Sequence, residues 1–178
     1  MVKPESSRLK AHRRDRRIMR IFIHGQESDN KGIKSIFFRE HYPDMIIPHF
    51  VGELSERMKK LEEVLSGHTN IRLVGSSFGG LMASIFTMEN EPRVDRLIFL
   101  APAINMLELS DCRLKEISTP VLIYHGTMDD VIPLEAVEPI AKKYFRNLTF
   151  NKVEDDHFLR NTFPNIDWKK HLGSGLHI

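Results

Sequence analysis

A hydroxyl, an imidazole and a carboxylate can together split an acyl bond: the first attacks, the second takes its proton, and the third holds the second in place. The sequence offers candidates for all three. Gly75-Ser76-Ser77-Phe78-Gly79-Gly80 carries the G-x-S-x-G spacing with Ser77 at its centre. The flanking Gly75 and Gly79 permit a sharp strand-to-helix turn with the serine at its tip, and Gly80 leaves room for the helix to lie close on a sheet. A serine so placed sits at a helix N-terminus, whose free backbone N–H groups can hold developing negative charge. The pattern alone is weak, because G-S-S-F-G-G also reads as a glycine-rich anion loop. Its setting, after a β-branched strand and before an amphipathic helix, is what the hydrolytic motif requires.

Serine needs a base, and the chain has nine histidines. His12 in the leader, His68 at a helix end, and His171 and His177 in the tail read as surface imidazoles. His157 differs, because it follows the last expected strand in Glu154-Asp155-Asp156-His157-Phe158 and completes the order serine, acid, histidine. The acid falls between them, in His125-Gly126-Thr127-Met128-Asp129-Asp130-Val131-Ile132-Pro133. Asp129 and Asp130 both qualify. One of them is expected to open the helix at Pro133, and Asp130 is nearer to it. His24-Gly25-Gln26 ends the first expected strand: Gly25 lets backbone approach closely, and the N–H of Gln26 can pair with that of Phe78 as oxyanion donors. His24 reads as a loop anchor more than a base, and His24 and His125 are the rivals to His157.

These residues need elements to hold them. Arg20–His24 is a compact strand, and residues 31–41 read as a helix with Ile33, Ile36, Phe37 and His41 on one side. Met45–Ile47 is a brief second strand. Leu54, Met58, Leu61 and Leu65 form a helical stripe among charges. Ile71–Val74 is a third strand, followed by a helix with Met82, Ile85 and Phe86 inward. Leu97–Ala101 and Val121–Tyr124 are the fourth and fifth strands. Pro133 starts a helix with Val137, Ile140 and Tyr144 inward. A sixth strand is expected at Leu148–Val153 and a short helix near Ile166–Leu172. Such repeated alternation of continuous apolar strands with helices implies a parallel sheet covered on both faces. Ligands bind such sheets beyond the carboxyl ends of the strands, where all the candidate residues lie.

The chain resembles the α/β-hydrolases. Gly75-x-Ser77-x-Gly79 is similar to their nucleophile elbow, His24-Gly25 to their oxyanion loop, Gly126-x-x-Asp129-x-Val131-x-Pro133 to their acid loop, and Asp156-His157 to their histidine loop, in order, over residues 20 to about 172. The resemblance implies a Ser77–His157–Asp129 triad, an acyl-enzyme intermediate and no metal or organic cofactor. Two features depart from the family. No residues are available for its two leading antiparallel strands, and the segment from Pro102 to Thr119 is too short for a lid. The expected fold is a three-layer α/β/α sandwich on a six-stranded parallel sheet ordered 2-1-3-4-5-6, a reduced α/β-hydrolase over residues 20–178 behind a flexible leader at 1–19. The implied activity is that of a small, lid-less serine esterase acting on small acyl esters or thioesters, with Met106 and Leu107 lining the acyl pocket. Acyl transfer, peptide hydrolysis, or an idle hydrolase fold used for binding are the alternatives on the same residues.

Composition fits this picture. Over 178 residues, 41% hydrophobic and 28% charged is the profile of a globular chain able to bury a core without disulfides or metals. The single Cys112 can form no internal disulfide, which points to a reducing cytoplasm. No apolar run reaches the ~20 residues that cross a bilayer, and Met1–Arg20 lacks the apolar stretch of a secretory signal. The net charge of +2 divides into +6 over residues 1–20, with eight basic side chains against Glu5 and Asp15, and −4 over the rest. A basic leader can meet anionic polymers, but this one has no interleaved aromatics to stack on bases, which argues against nucleic acid as a partner.

Overall fold

The computed structural model describes residues 18–174; most of the expected leader, with His12, and the last four residues, with His177, lie outside the described residues. Five strands form one parallel sheet in chain order: β1 (Met19–Ile23), β2 (Ile71–Ser76), β3 (Val94–Leu100), β4 (Val121–Gly126) and β5 (Leu148–Val153). The expected strand at Met45–Ile47 is reduced to one bridge, where Ile46 pairs with Ile21 on the outer side of β1. Its backbone keeps both bonds to β1, Phe22 N–H to Ile46 O at 3.0 Å and Ile46 N–H to Arg20 O at 2.9 Å. Pro48 follows at once and has no N–H with which to extend a ladder. The sheet therefore has five strands rather than six, with the Ile46 contact where the second strand was expected.

Alternation along the strands divides the core into two layers. Ile21, Ile23, Leu73, Leu97, Phe99, Val121 and Ile123 face one side, against α2 (Leu54–Leu65), α3 (Phe78–Asn90) and α4 (Leu134–Tyr144). Phe22, Val74, Ile98, Leu100 and Leu122 face the other, against α1 (Ile33–His41) and α5 (Trp168–Leu172). The central helix α3 is buried from Phe78 to Met88 and mostly apolar, as suits a helix enclosed by sheet and neighbours, and its two buried hydroxyls, Ser84 and Thr87, donate to Gly80 O and Ala83 O within the helix. Helix α2 opens with a capping box between Glu53 and Glu56. Pro133 stands just before α4, at its N-cap, rather than inside its first turn.

The inward face of α1 differs from expectation. Ile33 is 83% and Ile36 47% exposed, whereas Ser35, Phe38 and Tyr42 are buried. Phe38 sits edge-on to Trp168 and Phe163 at centroid distances of 4.9 and 5.6 Å, and 5.1 Å from Phe22. An aromatic cluster assembled from remote segments thus chooses one of two adjacent helical stripes. The segment after β3 also differs: of the pair expected to line a pocket, Leu107 is fully buried in the core and Met106 reaches solvent.

The chain leaves β1 outward toward Ile46, returns, and then proceeds strand by strand in the other direction. That reversal sets the crevice at the carboxyl ends of β1 and β2, the point where an open parallel sheet receives ligands. No helix of the described residues is long and apolar enough to cross a membrane.

Candidate active site

Ser77 links β2 to α3 with φ 52° and ψ −118°. A non-glycine residue in such a conformation costs on the order of 1–3 kcal/mol and survives only where its surroundings over-determine it. Here they do: Ser77 N–H donates to Leu100 O, and Ser77 O accepts from Gly80 N–H and Ala103 N–H, each at 2.9 Å. Three bonds of roughly 1 kcal/mol net apiece can offset that strain. Ser77 makes no side-chain cap to α3, so its hydroxyl is not committed to the helix. Gly79 is required by closeness: a Cβ there would stand 2.0 Å from Ile23 O, where β1 passes behind the turn.

His157 reaches this serine from the loop after β5. Its Nε2 lies 3.2 Å from Ser77 Oγ, and its Nδ1 lies 2.8 Å from Asp129 Oδ2. A carboxylate can only accept, so Nδ1 carries the proton, Nε2 is bare, and the serine hydroxyl donates to it. Asp129 is 8% exposed, and its Oδ1 accepts Val131 N–H at 3.0 Å and Ile132 N–H at 2.7 Å. One carboxylate therefore shapes its own loop with one oxygen and meets the imidazole with the other. Asp130 is exposed, and α4 has no side-chain cap, so the expected capping by Asp130 is absent.

The acid and histidine loops are stitched together. Thr127 N–H donates to Val153 O at 2.8 Å and Met128 N–H to Asp155 O at 3.1 Å. Gly126 is in tight contact here, since a Cβ on it would meet Asp155 O at 2.3 Å. Buried Asp155 folds the histidine loop by accepting N–H bonds from Asp156, Asn161 and Thr162. Burial alone would push its carboxyl up, but these N–H groups outweigh it and hold the pKa below the ordinary value. Lys34 of α1 fastens the same loop from outside by donating to Phe158 O at 2.8 Å.

Both rival histidines are committed elsewhere. His24 accepts Phe50 N–H at Nε2, 2.9 Å away, so its Nδ1–H donates to Gly25 O at 2.7 Å. Burial lowers its pKa, with the Gly25 bond pulling the other way. It anchors the loop carrying Gln26. His125 is fully buried beneath the acid: its Nε2–H donates to Ile132 O at 2.9 Å and lies 3.3 Å from Asp129 Oδ2. Burial lowers its pKa too, so a neutral ring, its N–H committed to Ile132 O, packs beneath Asp129. Sequence reasoning considered it only as a base. The i, i+4 spacing to Asp129 was the available signal.

Gly25 stands close enough to Ser77 that a Cβ on it would meet Ser77 Cβ at 3.4 Å. Among the described residues, neither Gln26 N–H nor Phe78 N–H has a hydrogen-bond partner. Gly75 is the last but one residue of β2, beneath this turn, where a Cβ would stand 2.6 Å from Gly79 O. Arg57 was missed altogether. It lies on the buried side of α2, 4% exposed, donating from Nε to Gly52 O at 2.8 Å and from Nη2 to Gln26 O at 3.3 Å. Its place three residues after Leu54 and four before Leu61, within the apolar stripe, was the signal.

The model of the Alpha/beta hydrolase family matches residues 53–159. No curated protein matches the chain in sequence. Among solved structures, the chain is similar to a protein assigned to the alpha/beta hydrolase superfamily from Xanthomonas campestris pv. campestris, at 23% identity and TM-score 0.69 over 84% of this chain and 92% of that one. Est1E from Butyrivibrio proteoclasticus, solved with ferulic acid bound, matches at 18% identity and TM-score 0.63 over 79% and 81%. An epoxide hydrolase from Bacillus megaterium, in complex with an inhibitor, matches at 12% identity and TM-score 0.68 over 83% and 89%. At these identities the likeness is one of fold.

Proposed function

Since the chain belongs to the alpha/beta hydrolase family, we propose that it is a serine hydrolase that cleaves small carboxylic esters or thioesters through Ser77, His157 and Asp129. One observation carries this reading: the continuous hydrogen-bond chain from Ser77 Oγ through His157 to Asp129, at 3.2 and 2.8 Å, on a serine held at positive φ. His157 Nε2 takes the hydroxyl proton as Oγ attacks the acyl carbon. Asp129 stabilises the imidazolium that forms. The N–H groups of Gln26 and Phe78 receive the oxyanion. Collapse of this intermediate expels the alcohol or thiol, protonated by His157, and water then releases the acid by the same steps in reverse. Apolar side chains flank the acid and base: Met128 is 58%, Val131 60% and Phe158 54% exposed. Such a rim suits a small apolar acyl or alkyl group.

The test is covalent labelling with a fluorophosphonate, the adduct being mapped by mass spectrometry, alongside turnover of p-nitrophenyl esters of graded acyl length. The wild-type protein takes the label at Ser77. Ser77→Ala loses label and turnover while keeping its melting temperature. Labelling that survives in Ser77→Ala, or moves to Ser76, refutes the assignment.

A further inference from the structure

The loop that presents Gln26 runs exposed from Gln26 to Asp29, with no lid element expected over it. Apolar packing cannot fix such a loop, so its peptide planes must be held by polar bonds. Because a peptide is planar, securing its carbonyl also sets the direction of the N–H on the same unit. The Gly25–Gln26 unit carries the Gln26 N–H, and its carbonyl accepts from His24 Nδ1–H and, at 3.3 Å, from Ser28 Oγ–H. The next unit, Gln26–Glu27, is held at its carbonyl by Arg57 Nη2. Gln26 is thus clamped on both sides, once by a neighbour in sequence and once by a helix thirty-one residues away.

Arg57 is an expensive residue for that duty if loop fastening is all it does. Its guanidinium is buried, its Nη1 has no partner, and among the described residues no carboxylate forms an ion pair with it. Glu53, at the N-cap of α2, offsets this charge only through space and less than burial opposes it, and a buried cation without an ion-pair partner disfavours the folded state. It lies 5.5 Å from the centroid of the Phe78 ring. It therefore touches the two residues whose N–H groups face the reacting carbonyl in the proposed reaction.

Resting on that serine-hydrolase reading, we infer that Arg57 is a positioning residue of the oxyanion site: by holding the Gln26–Glu27 carbonyl it fixes the backbone of the residue that carries the first donor, and it keeps a positive charge without an ion-pair partner beside the two donors. The negative oxygen that exists only during turnover is then a further counter-charge to it. Stabilisation confined to that state raises kcat and leaves substrate binding nearly unchanged.

Steady-state kinetics on a p-nitrophenyl ester and the inhibition constant of an aryl boronic acid, which mimics the tetrahedral anion, are measured for Arg57→Met and Arg57→Lys, with thermal midpoints. In Arg57→Met, kcat is expected to fall on the order of 10²-fold, as when one oxyanion donor is lost. Boronate affinity weakens in step and KM changes little. Arg57→Lys, which keeps the charge, recovers part of both losses. If Arg57→Met does not fold, Arg57→Lys carries the test alone: it keeps the charge but not the two-carbonyl fork, so a kcat loss at constant KM supports the inference. Folded variants with wild-type kcat and boronate affinity overturn it, as does a loss that appears only in KM. Wild-type protein that takes no fluorophosphonate at Ser77 fails the underlying reading first, a result visible before any Arg57 variant is made.

Discussion

Asp129 and Asp130 are adjacent and chemically identical, yet their surroundings assign them different fates. Asp129 Oδ2 accepts from the His157 ring N–H and has the His125 ring 3.3 Å away, while Oδ1 accepts two backbone N–H groups. In Asp129→Asn the amide oxygen can keep the backbone bonds, but its NH₂ then points at the His157 N–H. His157 is driven to the tautomer whose Nε2 bears the proton and cannot accept from Ser77. In the protease template this costs on the order of 10⁴ in kcat, and the buried donor conflict should remove about 1–3 kcal/mol of stability as well. Asp130→Asn changes an exposed side chain with no cap to lose, so turnover stays near wild type and stability within roughly 0.5 kcal/mol. Measuring kcat and melting temperature for both variants checks this; a strong kcat loss in Asp130→Asn would move the acid by one residue.

Helix α4 carries Pro139 in its interior, on the exposed side. An interior proline removes one i to i−4 bond and crowds the preceding turn, at about 3 kcal/mol relative to alanine, of which roughly 1 is returned through a stiffer unfolded chain. Pro139→Ala should therefore stabilise the protein by ~2 kcal/mol and leave kcat alone, since α4 meets the site only through the loop before it. A lower melting temperature would mean that the packing of α4 depends on the proline. The elements themselves were readable from the sequence because long apolar strands and spaced helical stripes are local signals. The four loops after the strands were readable because their glycines sit at tight approaches, as at Gly79 and Gly126. What failed to show was decided at a distance. The α1 face is set by Phe163 and Trp168, more than 100 residues further on. The Met45–Ile47 strand is cut short at an edge, Leu107 is drawn into the core, and the burial of Arg57 depends on the loop it fastens.

Titration links the whole fold to solution. Burial lowers the pKa of His24, His125 and His171 below the ordinary 6.5. Below about that pH the unfolded chain binds protons that the folded chain refuses, so stability is full above 6.5 and lost as pH falls through it. Asp155, with its pKa held down, adds a second loss at still lower pH. The melting temperature should fall between pH 8 and 5.5, and fall less steeply when His24→Gln and His125→Gln are combined; a flat profile in the wild type would contradict this. The sheet has one more property at this scale. Its spatial order is its sequence order, β1 to β5, with every neighbour parallel. A polypeptide emerging from the ribosome can thus add each strand to an edge that already exists, with no later segment needing to be threaded between two earlier ones. Gln26, Ser77, Asp129 and His157 emerge in that order. Between the emergence of Ala103, which completes the Ser77 turn, and that of His157, the nascent chain holds this turn without its imidazole, and on the proposed mechanism it acquires reactivity only once the loop after β5 has folded.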